Sequence, residues 1–226
     1  EVFAGYDVFR RMKALETKQW LNSLPVAIRK NMGALVRAVK PSAASEKIAA
    51  ALGQERIDLA HFYPLTRQVL YESEVNRLLK QRPLERNCVE LLSQAVSGIR
   101  MPTLSKVSVL EISTYMQNVL LRDADQMSMA HALEIRVPFL DHRLIEFVLG
   151  VSDKHKFPHT PKELLTESVG DLIPREIIDR PKMGFTFPWA VWMRSELKSF
   201  CEEQLLALKQ VDVIQHDEVI ALWKRF

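Results

Sequence analysis

Hydrophobic positions along the chain recur at helical spacing far more often than at strand spacing. Val2, Tyr6, Phe9 and Leu15 keep roughly that period, and the segment from Trp20 to Lys30 repeats it with Leu24 and Ile28, so the chain should open with helices. Pro41, Ser42, Ala43 and Ala44 interrupt the pattern, which makes residues 38–45 the best candidate for a flexible connector. A short Ala-rich helix, Ser45 to Leu52, is predicted next, with Gly53 placed to end it in a left-handed conformation. Further helices are expected over about 66–81, 84–97 and 107–133, with Pro83 at a start and Gly98 at a stop.

The last of these stretches is the longest. Val107, Leu110, Thr114, Gln117 and Leu121 trace one face, while Val109, Ile112, Met116, Val119 and Leu120 supply a broad apolar one, so this helix should be packed over much of its surface. Beyond it Pro138 disfavours the α region at Val137, and Arg136 to Leu140 should form an extended crossing. Asp141 then reads as a helix cap, with Gly150 as the stop. Thr160-Pro-Lys-Glu163 has the form of a capping box with proline at the first helical position, opening a helix that ends near Gly170. Pro188 begins a helix carrying Trp189, Trp192 and Leu197, and a last helix spans about 216–226. No repeat of fixed period is present and strand signals are nearly absent, so the chain as given is predicted to be all-α apart from short extended pieces.

Composition narrows the class without naming a ligand. The 226 residues, 47% hydrophobic and 26% charged, suit a soluble globular protein of one large or two small domains. A net charge of +3 is too small to argue for nucleic acid as a partner, and there is no apolar run of about 20 residues to suggest a membrane span. Cys88 and Cys201 are far apart and fit no metal-ligand spacing, so no metal site is expected and a reducing, cytoplasmic home is the default. The chain starts at Glu1 directly on a helix-like run, and reads as a fragment of something longer.

Two clusters could carry chemistry. Arg122, Asp123, Asp125, Ser128, His131, Glu134, Arg136, Asp141 and His142 crowd an otherwise apolar region. Arg122 and Asp125 are spaced to meet on a helix face, and Glu134 and Arg136 would project to one side of an extended segment. Spacing alone favours an internal salt-bridge network tying the helix end to the crossing, with an active site as the other reading. The second cluster is Arg175, Arg180, Lys182 and Gly184. Pro181 and Gly184 would hold Lys182 on a tight loop, where a compact ammonium suits an anionic substrate; a solvated basic loop is the plainer reading. His131 reads as a satisfied buried imidazole, Trp189 and Trp192 as a packing pair, and Arg10, Arg11 and Lys13 as a solvated face. No Gly-rich phosphate loop, His-Glu-x-x-His pair, Cys-x-x-Cys or G-x-S-x-G elbow is present.

Three segments together resemble one family. Glu1-Val-Phe-Ala-Gly-Tyr6 looks like the tail of a G-x-D-E-hydrophobic-F-x-G-Y motif, Asp125 to Asp141 looks like D-R-x-S-M-A-x-x-L-E-x-R-x-P-F-L-D with Gln126 as its one departure, and Arg180-Pro-Lys-Met-Gly-Phe185 looks like R-x-K-x-G-F. These are marks of the glutamine-hydrolysing asparagine synthetases. The resemblance covers most of residues 105–200 and the first few residues. It implies the helical carboxyl-terminal part of an α/β synthetase domain similar to ATP pyrophosphatases, whose parallel sheet and phosphate loop lie upstream. On that basis the whole of 1–226 is one such part, and early helices such as Val2 to Leu15 should expose apolar surface where the sheet belongs, with self-association as a consequence.

The resemblance also implies a reaction. The aspartate side-chain carboxylate attacks the α-phosphate of ATP, pyrophosphate leaves, and ammonia from a separate glutaminase domain displaces AMP. Lys182 matches the lysine that stabilises the departing pyrophosphate, and a carboxylate that helps take a proton from ammonia falls nearest Glu111. Glu1, Asp125, Glu134, Arg136 and Arg180 occupy motif positions that shape the site. ATP and magnesium are the implied cofactors, with the magnesium ligands largely upstream, so this chain alone should be inactive. Two rivals stand beside that reading: a related synthetase acting on another carboxylate of a sugar, peptide or cell-surface intermediate, and a non-enzymatic helical interaction module.

Overall fold

In the computed structural model, which describes residues 1–40, 42–81, 88–157, 159–181 and 187–225, every regular element is helical and no strand is present among the described residues. In chain order the helices are α1 (Asp7–Glu16), α2 (Val26–Val39), α3 (Ala43–Leu52), α4 (Leu59–Arg67), α5 (Glu72–Leu78), α6 (Cys88–Ser97), α7 (Thr103–Glu111) and α8 (Arg122–Met129). They continue with α9 (His142–Gly150), α10 (Asp153–Lys156), α11 (Glu163–Val169), α12 (Arg175–Ile178), α13 (Trp189–Arg194), α14 (Lys198–Ala207) and α15 (His216–Arg225). The chain divides into two compact units: Glu1–Arg67 with Asn87–Ile178, and Gln68–Arg86 with Asp179–Phe226.

The first unit is organised around α1 and α7. Val8, Phe9, Met12 and Leu15 form one face of α1, and they join Ala4, Tyr63, Leu104, Val107 and Leu110 in a single buried cluster. The expectation that α1 would expose an apolar face is therefore corrected: its helical stripe is the core of this unit. Large exposed apolar side chains cluster instead along Met127, Met129, Leu133, Ile135, Val137 and Phe139.

Helices α2 and α3 pair as a hairpin. A Cβ on Gly33 would lie 2.9 Å from the Cα of Ala49, so only the absent side chain lets the two backbones approach. Ser42 caps α3 by accepting from the Ser45 amide, and Ser45 reciprocates. Within the region expected as a flexible connector, 38–45, the described residues include the end of α2 and the start of α3, and Pro41 lies outside the described residues. Gly53 sits at φ −75° and does not adopt the expected left-handed conformation. What ends α3 is Arg29, only 1% exposed, whose guanidinium donates to the carbonyls of Leu24 at 3.3 Å, Leu52 at 3.5 Å and Glu55 at 2.9 Å. A cation suits the unpaired carbonyls at a helix C-terminus, so the hairpin buries a charge without a carboxylate.

The expected helix over 66–81 is broken, because α4 ends at Arg67 and a new helix begins at Glu72. The expected start at Pro83 lies outside the described residues. At 160–163 the Glu163 carboxylate does reach back to the Thr160 amide at 2.8 Å, yet the helix starts only at Glu163, after Lys162 at φ 65°. In the second unit Leu79 and Ile214 form an isolated antiparallel bridge, flanked by Gln215 N–H to Leu78 O at 2.8 Å. Trp189 and Trp192 pack edge to face at 5.3 Å between centroids, as expected of a packing pair, with Phe187 beside both. Among the described residues no helix is long and apolar enough to cross a membrane.

Lys156 is fully buried, donating to Ser105 Oγ at 2.5 Å and to Leu149 O at 3.4 Å. Burial lowers its pKa to about 8, against an ordinary 10.5, although the nearby Asp153 carboxylate pulls the other way. Between those values the unfolded chain holds a proton that the folded chain has released, so this group makes stability rise with pH across that window. Urea denaturation at about pH 8 and pH 10 should show the stability of Lys156→Met falling relative to wild type as pH rises; a margin independent of pH would contradict this. For the hairpin, Gly33→Leu should lower stability by about 2 kcal/mol or more by forcing α2 off α3, measured by the midpoint of chemical unfolding at an unchanged slope.

Candidate functional site

The chain brings its most constrained polar groups together where α4 crosses α7. Glu111, the last residue of α7, is 0% exposed and both of its oxygens are engaged. Tyr63 donates its hydroxyl proton to Glu111 Oε1 at 2.7 Å, Arg67 Nε donates to the same oxygen at 3.0 Å, and a second Arg67 nitrogen donates to Oε2. Tyr63 and Arg67 are four apart on α4 and so share a face. The Tyr63 oxygen also lies 2.9 Å from Thr114 Oγ, whose hydroxyl donates to Leu110 O at 2.6 Å. With one proton each, Tyr63 serves the charged acceptor and Thr114 shares its own between two oxygens.

This site sits at a change of helical pitch. From Ile112 to Leu121 the chain is a π-helix, continuous with α7 before it and α8 after it. Asn118 Nδ2 donates to Thr114 O at 2.9 Å and to Ser113 O at 3.2 Å, so side chains serve carbonyls that a wider ladder leaves poorly served. Tyr115 follows directly, and the Arg67 guanidinium lies over its ring at 4.8 Å and within 6.0 Å of the Tyr63 ring.

Glu1 and Tyr6 complete the cluster. Burial raises the Tyr6 hydroxyl pKa, and the negative charge of Glu1, the neighbouring Tyr115, a hydrogen bond to Glu1 and the charge of Glu111 raise it further. Tyr63 is likewise raised, first by burial and then by its bond to Glu111. Burial alone would lower Arg67, but its hydrogen bond and attraction to Glu111 outweigh that and raise it. Both phenols are held protonated and the guanidinium charged: Tyr63 and Arg67 donate to Glu111, and Tyr6 is hydrogen-bonded to Glu1. Ser108 Oγ, one turn before Glu111, donates to Glu1 O at 3.0 Å and ties the first motif to α7. At the edge of this set the aliphatic stem of Lys162 lies on Gly5, where a Cβ would come within 2.6 Å of Lys162 Cε. Ala4 at φ 51° and Lys162 at φ 65° are both left-handed residues with side chains, a cost in backbone energy concentrated at this contact.

The residues expected to form the site separate. Glu1 and Glu111 meet in the same network; Asp125, Glu134 and Arg136 do not join it. Asp125 is exposed and offers only its backbone oxygen, to Ser128 Oγ at 3.1 Å. Glu134 and Arg136 pair at 2.7 Å, as their spacing on an extended segment predicts, but in solvent, with side chains 70% and 83% exposed. Such a pair contributes about 0–1 kcal/mol. The expected internal salt-bridge network is therefore corrected to one surface pair: Arg122 and Asp125 form no ion pair, and Asp141 instead caps α9, accepting from the amides of Arg143 at 2.9 Å and Leu144 at 3.3 Å. His131, expected buried, is exposed. Arg180 is exposed and belongs to the second unit, while Lys182 and Gly184 lie outside the described residues.

Tyr63, Arg67 and Lys162 are the functional candidates that pattern reading misses. The four-residue spacing of Tyr63 and Arg67 was available, but nothing in the sequence pairs them with a carboxylate 44 residues away from Arg67. Arg67→Met should cost about 3 kcal/mol, because it leaves Glu111 buried and unpaired, whereas Glu111→Gln should cost about 1 kcal/mol, since Arg67 is partly solvated and an amide oxygen still accepts. Equilibrium unfolding of both variants checks the order; equal losses would mean that Glu111 is not held as an ion.

The family model described as asparagine synthase matches residues 1–225. Asparagine synthetase [glutamine-hydrolyzing] 1 of Bacillus subtilis (strain 168) is 26% identical over 222 residues, covering 97% of this chain and 34% of the relative. A putative asparagine synthetase [glutamine-hydrolyzing] of Mycobacterium tuberculosis (strain ATCC 25618 / H37Rv) is 23% identical over 197 residues, 86% of this chain and 29% of the relative. The asparagine synthetase [glutamine-hydrolyzing] of Homo sapiens is 45% identical over 67 residues, 28% of this chain and 12% of the relative. The chain thus spans about a third or less of the length of these relatives. No solved structure matches it.

Proposed function

The chain belongs to the asparagine synthase family, and on that premise we propose that it supplies the helical part of a site for ATP-dependent amide formation. The substrate carboxylate is the aspartate side chain, activated as an acyl-adenylate, and ammonia derived from glutamine on a separate glutaminase domain converts it to asparagine. The observation that carries this reading is the match along the chain to a family whose relatives are named glutamine-hydrolysing asparagine synthetases.

Within this reading Lys182 meets the negative charge that develops on departing pyrophosphate, a transition-state contact more than a ground-state one. Glu111 is proposed as a positioning residue. A carboxylate without solvent access and with both oxygens engaged is shielded from an incoming ammonia, so its work is to hold Tyr63, Arg67 and the α7 end beside Glu1 and Tyr6. For Glu111 to take a proton from ammonia, as the resemblance implies, one of its present donors has to swing away. Asp125, Glu134, Arg136 and Arg180 keep the site-shaping roles that their motif positions imply. Among the described residues no group of three or more His, Cys, Asp or Glu converges to hold a metal; the magnesium that accompanies ATP is assigned no ligand in this chain and no step. The exposed apolar residues from Met127 to Phe139 provide the surface through which the chain alone would self-associate.

The test is asparagine and pyrophosphate release by the full-length protein given ATP, aspartate and ammonia, which bypasses glutamine hydrolysis. Lys182→Ala should lower turnover by about a hundredfold while changing the Michaelis constant for ATP little, and Lys182→Arg should recover part of the loss. The chain alone should release none. Wild-type turnover in Lys182→Ala would remove the lysine from the mechanism, and a product other than asparagine would redirect the reading to another carboxylate.

A further inference from the structure

A concavity lies in the first unit, between α1, the turn at Gln19–Ser23, α3 and α4, with a volume of about 710 Å³. Its walls are apolar: Leu15, Ile48, Leu52, Phe62 and Leu65 among them. That volume falls within the roughly 300–1,000 Å³ typical of small-molecule sites. Three cations, Arg11, Lys18 and Lys47, also line it, and no acidic side chain does. None of the three pairs with a carboxylate among the described residues. An unexplained apolar surface and an unexplained excess of positive charge therefore coincide.

We propose that this cavity binds a small amphiphilic anion, an alkyl chain with one carboxylate or phosphate head, whose chain covers Ile48 and Phe62 and whose head is held by Arg11, Lys18 and Lys47. Each half of the ligand matches a separate feature of the site. Ile48 is 48% exposed on the cavity wall, and burying it against an alkyl chain removes apolar area from water. Three like charges on the cavity lining, unrelieved by any carboxylate there, favour an anionic head over a neutral or cationic one. Ala14, Ala44 and Ala51 line the same space and keep it wide enough for a chain. A second copy of this chain is a poorer occupant of this cavity: it would bring the same three cations to the contact. The proposal does not rest on the synthetase reading, because none of the residues of the Glu111 cluster lines this cavity.

The experiment is isothermal titration of the 226-residue chain and of the full-length protein with decanoate and with decanol below their aggregation concentrations. Decanoate should bind saturably to both, and decanol about tenfold more weakly or worse. Lys18→Glu with Lys47→Glu, the first exposed and the second half-buried, should weaken decanoate about tenfold or more while leaving helical content unchanged. Ala51→Trp should block binding by filling the cavity; if that variant fails to fold, the charge-reversal pair still decides. Equal binding of decanol and decanoate, or decanoate binding indifferent to charge reversal, would overturn the proposal. So would decanoate binding that disappears in the full-length protein, which would mean that other parts of the protein cover the cavity. A chain that binds no decanoate but sediments as a dimer dissolved by Ile48→Glu would make the cavity an interface between copies, and the proposal would fall.

Discussion

A carboxylate with no water around it must be answered by protein, and at Glu111 that requirement reaches into three segments at once. Removing a carboxylate from solvent costs several kcal/mol before any partner is counted, and only good geometry repays it. The repayment comes from Tyr63 and Arg67 on α4, which fixes the register of α4 against α7. Buried ion pairs of this kind are weak sources of stability relative to apolar packing, but they discriminate sharply between one alignment and its neighbours. The motif at Glu1 to Tyr6 is then seated on that alignment through Ser108 and through the field felt by Tyr6.

Arg29 and Lys156 meet the same problem with other means. Arg29 spends its guanidinium on the carbonyls that close α3, and Lys156 lodges between a serine hydroxyl and the end of α9. Each buried charge sits at a helix end, where backbone groups lack partners within the helix. The first unit thus uses charge as a locating device at its element boundaries, and leaves Phe9, Met12, Leu104, Val107 and Leu110 to supply the apolar driving force. Salt bridges in solvent, such as Glu134 with Arg136, play no comparable part.

Helix content and some element starts were legible from spacing and caps: Asp141, Pro188 and the apolar stripe of α1 behave as local chemistry dictates. What was not legible depends on distant contacts. Gly53 ends its helix without a left-handed turn: its own N–H serves Ala49 O, and Arg29 serves the last carbonyl, Leu52 O. The charged cluster around Asp125 looked internal because its neighbours are apolar, yet those apolar residues are themselves exposed. Of the site, Glu111 and Glu1 could be named from a resemblance, but the donors that define what Glu111 can do come from a segment with no motif at all. The long helix also misled by its faces: Val119 is 40% exposed although its spacing places it on an apolar stripe. That stripe assumed a single pitch, and the π-helical stretch from Ile112 to Leu121 does not keep it.

The same stretch acts as a rotary offset between two rigid rods. α7 before it is locked by the core, and α8 after it opens the motif from Asp125 onward. A residue in an α-helix advances about 100° around the axis, so gain or loss of a single residue within 112–121 would swing the whole motif around the helix while altering none of its own residues. The spatial address of the motif is therefore stored in the length of a segment outside it. Divergence by insertion or deletion in that segment would be far harder to absorb than divergence by substitution, even at positions where the side chain touches nothing.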